Sequence, residues 1–173
     1  MRLTTRQLTL CALLSALALA LSYTENFLPL SLVIPLPGIK LGLANIVTVF
    51  ALYALGPLQA LVILITRCGL GAMFAGNFNA LLFSVLGGLS ALGAMALLKR
   101  LKGLSLYGVS MGGAAAHNCG QVAAALITLG NAAPLAYLPV LLAVSVVTGG
   151  LTGYLSALLF RALSHTDLMK GEV

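Results

Sequence analysis

Charge is what this sequence has least of: nine lysines and arginines and three acids in 173 residues, 7% in all, against roughly 25% in a soluble domain. Residues are 61% hydrophobic and the mean hydropathy is +1.11, so an integral membrane protein is expected. Alternation of apolar and polar positions is also lacking. The apolar runs are continuous for at least ~18 residues, which excludes a barrel and leaves helices as the spanning element. Cys11, Cys68 and Cys119 lie in apolar runs and form no CxxC pair, so neither a disulfide framework nor a thiolate metal site is implied. There is no phosphate-binding glycine loop and no nucleophile elbow. With two histidines, His117 in an apolar run and His165 beside Asp167 in the C-terminal tail, a cobalt or nickel carrier is excluded, because ligands on opposite sides of a bilayer cannot share an ion. No catalysis, metal or other cofactor is expected.

Six spans account for the apolar sequence, at about 7–23, 38–55, 58–70, 80–98, 106–129 and 137–163, in a single domain covering 1–173. Arg2 and Arg6 before the first run resemble a signal peptide, but no small-x-small cleavage site leads into a polar region, so this run reads as a retained span. An even number of spans puts both termini on one side. That side carries Arg2, Arg6, Lys99, Arg100, Lys102, Arg161 and Lys170, so by the positive-inside rule the termini are cytoplasmic and the protein is multi-pass in the cell membrane. The net charge of +6 thereby sorts by membrane side and implies lipid contact, with no nucleic-acid partner.

Three features stand out against this apolar background. The first is Pro35-Leu36-Pro37-Gly38-Ile39-Lys40-Leu41-Gly42-Leu43-Ala44-Asn45, where prolines fix an extended approach, a glycine frees the backbone, and Lys40 and Asn45 enter an apolar helix. The second is Cys68 to Asn79, whose glycines and asparagines imply a bent or re-entrant connection at membrane depth after a short third helix. The third is a polar face on the fifth helix. At 100° per residue Gln121, Ser110 and Thr128 fall within about 40° of His117, and Asn118 about 100° away. Polar side chains in hydrocarbon face a bundle interior or an aqueous cavity. Interhelical hydrogen bonding is the competing role for His117 and Gln121, and bonding to their own helix for Ser110 and Thr128.

Lys40 and Arg67 lie on the side that the positive-inside rule leaves poor in cations. Each has the alternative of snorkelling to headgroups. Together with Asn45, Asn77, Asn79, His117, Asn118 and Gln121 they define a donor-rich site suited to a polar or anionic solute, with Glu25 as the partner of one cation or a contact for a substrate cation. On helix one, Ala12, Ala16 and Ala20 recur every fourth residue and permit close approach, either of a helix of this chain or of a separate membrane subunit.

The six-span plan with its alanine stripe resembles the substrate-binding S components of energy-coupling factor (ECF) transporters. The segments Gly38-Ile39-Lys40-Leu41-Gly42-Leu43-Ala44-Asn45-Ile46-Val47 and Arg67-Cys68-Gly69-Leu70-Gly71 more closely resemble the Gx transporter family, whose members are often labelled heptaprenyl diphosphate synthase component I. The resemblance implies an S-component-like bundle that captures solute from outside. It also implies docking of helix one, through Ala12, Ala16 and Ala20, onto a transmembrane coupling (T) subunit served by two ATPases. The synthase label implies instead a non-catalytic accessory subunit of a prenyl diphosphate synthase. The single aspartate, Asp167, cannot furnish the aspartate-rich magnesium motifs of such an enzyme.

Overall fold

A computed structural model describes residues 5–27 and 42–164. Among these, six α-helices follow one another with no strand: α1 (Thr5–Thr24), α2 (Asn45–Ala54), α3 (Pro57–Ala75), α4 (Phe78–Leu98), α5 (Leu106–Leu129) and α6 (Leu138–Ser164). Short 3-10 turns occupy Glu25–Phe27 and Ala133–Tyr137. Four segments, α1, α3, α4 and the stretch that includes α6, are long and apolar enough to cross a membrane. Much of their surface is apolar and exposed, including Leu13, Phe74, Leu97 and Val147, as expected of helices whose outer faces meet lipid rather than water.

α2 sits at the centre and touches α1, α3, α4 and α6. Every residue from Asn45 to Leu52 is buried, which is why this helix is apolar on all sides and not along one stripe. It is also short. Ten residues rise about 15 Å, half the hydrocarbon thickness of a bilayer. The expected span at 38–55 is therefore corrected: Gly42 has φ +83°, a left-handed backbone that cannot belong to a helix, and the helix starts only at Asn45.

The third helix is corrected as well. It does not stop near residue 70 before a re-entrant loop, but runs to Ala75. In water Gly69 and Gly71 would weaken a helix by about 1 kcal/mol each, whereas in hydrocarbon the intrahelical bond is the available partner for every backbone group. Gly71 also leaves room for Leu19 of α1. The turn comes later, at left-handed Gly76 and at Asn77, whose side chain accepts from the Asn79 amide and caps α4.

The remaining helices pack through small residues, as their sequences imply. Ser145, Gly149, Thr152 and Ser156 of α6 all turn inward. Ser156 Oγ donates to the Ile46 carbonyl 2.9 Å away, and the hydroxyls of Thr152 and Ser110 lie 2.7 Å apart across α5 and α6. At the opposite end of α2 from Asn45, Lys99 Nζ donates to the Leu52 carbonyl at 3.0 Å and stands 4.6 Å from the centre of the Tyr53 ring. That carbonyl lies in the last turn, where carbonyls lack helical partners. Lys99→Met should lower stability by roughly 1 kcal/mol, seen as earlier thermal unfolding. An unchanged unfolding temperature would show that the contact contributes nothing. Arg6, Lys99, Arg100, Lys102 and Arg161 all stand at helix ends or in the turn between α4 and α5. Arg67 is the exception among the described basic residues.

Candidate functional site

Three helices carry polar or bare positions at their midpoints. Arg67 is near the middle of α3, Gly87 and Gly88 are at the middle of α4, and His117 is at the middle of α5. Packing brings them to one level. A Cβ on Gly87 would stand 2.8 Å from Cε1 and 3.0 Å from Nδ1 of His117, and 3.1 Å from Cγ of Gln121. A Cβ on Gly88 would stand 2.5 Å from Cδ1 of Leu64 and 3.4 Å from Nη2 of Arg67. One turn of α4 thus meets the imidazole on one side and Leu64 with the guanidinium on the other, and the bare backbone lets both approach closely.

The chain entering α2 closes on the same ring. At Gly42 a Cβ would lie 2.9 Å from Nδ2 of Asn45 and 3.3 Å from Cδ2 of His117, in addition to the strain of its positive φ. The N-terminus of α2, with its outward-pointing amides and positive dipole end, therefore begins inside the bundle at the depth of His117. Glu25, 4% exposed, accepts the Leu43 amide proton and pins this entry.

Burial divides the expected residues. Asn45, Arg67, His117 and Gln121 are all at most 5% exposed and share this level of the bundle. For Arg67 the snorkelling alternative fails: it is mid-helix and enclosed. Among the described residues Nε of Arg67 and Oδ1 of Asn45 have no hydrogen-bond partner, and no ion pair to Arg67 is present. An arginine keeps its charge, and a buried charge without a partner is strongly unfavourable.

The other candidates lie elsewhere. Asn118 is buried but commits Nδ2 to the Leu141 carbonyl at 2.8 Å, an α5–α6 tie consistent with its position off the His117 stripe. Asn77 and Asn79 are exposed at the α3–α4 turn and are corrected out of the cluster, since the turn that holds them moved beyond the end of the longer α3. Thr128 bonds carbonyls of its own helix. Lys40 lies outside the described residues. Reading the sequence missed Gly42, Gly87 and Gly88 as parts of the site. The adjacent glycines in mid-α4 were the available signal. Ala12, Ala16 and Ala20 are all exposed, so the stripe is not used against another described helix; Ala16 and Ala20 border a shallow apolar groove beside Gly71, Phe74 and Ala75 of α3.

These features define a multi-helix membrane protein with a buried polar cluster around the start of a half-length helix. A family model described as heptaprenyl diphosphate synthase component I matches residues 14–159, and the chain belongs to that family. No curated protein and no solved structure matches it.

Proposed function

We propose that this protein is a membrane solute-uptake component, the substrate-binding subunit of an ECF-type transporter. It takes a small polar or anionic solute from the outer side into the cluster of Asn45, Arg67, His117 and Gln121. The observation that carries this reading is Arg67, a buried cation with no acid beside it among the described residues, facing the same turn of α4 as His117. A fold retains such a charge when an anion visits it. The half-helix beginning at Asn45 supports the same reading, because discontinuous helices that present their N-termini at mid-membrane suit anionic groups. In this proposal all six helices belong to the membrane domain, both termini are cytoplasmic, and the chain performs no catalytic step.

The exposed alanines of α1 are proposed as the docking face for a T subunit carrying two ATPases. Ala16→Leu, placed where close approach is needed, should abolish co-purification of these partners from native membranes while leaving the protein folded. Retention of the partners would remove α1 as the interface. The family description favours a second reading, a non-catalytic accessory subunit of a prenyl diphosphate synthase held through Lys99, Arg100 and Lys102. Recovery of a soluble prenyl synthase, lost when those three residues are neutralised, would establish it in place of the first.

A further inference from the structure

Among the described residues, two of the buried atoms without partners are of opposite kinds. Nε of Arg67 is a donor and Oδ1 of Asn45 an acceptor. Each lies on a residue 5% exposed, and the two residues flank the level marked by Gly42, Gly87, Gly88 and the ring of His117. We infer that the solute is a small organic monoanion that also bears an N–H or O–H donor, its anionic group set against Arg67 and its donor against Asn45. This inference rests on the solute-binding reading proposed above.

Other chemistries satisfy less of the site. A donor-free anion would pair with Arg67 but bring lone pairs toward Oδ1 of Asn45. Cations are repelled by the guanidinium, and an apolar chain leaves both orphan atoms unpaired. A single negative charge matches Arg67, the one cation of the cluster among the described residues. A planar guanidinium also matches a carboxylate in bidentate fashion better than it matches a point-like anion.

The test uses the full-length protein in nanodiscs, freed of bound small molecules and incubated with the small-molecule fraction of a yeast-extract medium. After washing, the protein is denatured and what it releases is identified by mass spectrometry. The expected catch is a singly charged organic acid with at least one N–H or O–H group, absent when the medium has first passed over anion-exchange resin. The methyl ester of that acid should bind about 100-fold more weakly, and so should the acid itself to Arg67→Gln. Methylating its donor should cost about 10-fold in the native protein and nothing in Asn45→Leu. A captured neutral or cationic compound, or an ester that binds as well as its acid, overturns the inference while leaving solute capture standing. Nothing captured by protein that keeps buried Cys11 and Cys68 protected from a thiol reagent overturns the solute-binding reading, and this inference with it.

Discussion

Arg67→Met should make the unliganded protein more stable and the solute-binding protein inert. Methionine has an unbranched, adaptable side chain that can follow the path of the arginine stem, and it removes a charge that no described residue neutralises. Replacing buried charges by well-packed apolar groups raises stability by about 1–4 kcal/mol in favourable cases. A structural arginine behaves in the opposite way, because deleting one member of a buried pair strands the other. The sign of the change therefore separates a binding role from a structural one. The sequence has no tryptophan, but its thiols offer a probe: Cys11 and Cys68 are buried and Cys119 is exposed. In a Cys119→Ser background, reaction of a thiol dye on heating reports unfolding. A lower unfolding temperature for Arg67→Met would defeat the proposal that the guanidinium waits for a solute.

The second large effect concerns the contact of α4 with α5, the most extensive in the bundle. Gly120 meets α4 so closely that a Cβ would run into the Leu86 carbonyl and stand 2.7 Å from Oγ of Ser90. The serine can rotate, but the carbonyl moves only with the α4 backbone. Gly120→Ala should cost roughly 1–3 kcal/mol by overpacking, more than the gain of about 1 kcal/mol that alanine brings to a helix. It should also disturb the site, because Gly87 lies next to Leu86 on α4 and Gln121 next to Gly120 on α5. Gly93→Ala is the matched control. Nothing lies within 4 Å of a Cβ at Gly93, so there the propensity gain acts alone and stability should rise by up to ~1 kcal/mol. The same thermal assay reads both. Equal shifts for the two variants would mean that the close approach at Gly120 is not what holds α4 to α5.

The extent to which this molecule is legible in its sequence follows from what hydropathy and helical phase can detect. α5 is matched to the residue at 106–129, because Ser105 and Gly130 flank an uninterrupted apolar run. Its inward face follows from the phase of Ser110, His117 and Gln121, all buried. The inward face of α6 likewise follows the helical phase of Ser145, Gly149, Thr152 and Ser156. α2 was not legible, since an average over apolar residues does not register a backbone that turns left-handed at Gly42 and begins its helix at mid-depth. Misplacing the end of α3 had a second effect. It left snorkelling open for Arg67 and drew Asn77 and Asn79 into the site, whereas the longer helix encloses Arg67 and carries both asparagines to an exposed turn. The joint burial of Asn45, Arg67 and His117 depends on how four helices meet, which no single periodicity encodes.

Adjacent residues on a helix point about 100° apart, so the bare pair Gly87–Gly88 makes one turn of α4 a wall that touches α3 and α5 at once. That wall has no side chain left to give up. If descendants of this fold carry larger or differently charged cargo, the room and the chemistry must come from α3 and α5, at Leu64, Arg67, His117 or Gln121, while the glycines persist. On the solute-binding proposal, divergence of specificity is then confined to two helices, and a survey of relatives sorted by bound solute should find its variation there.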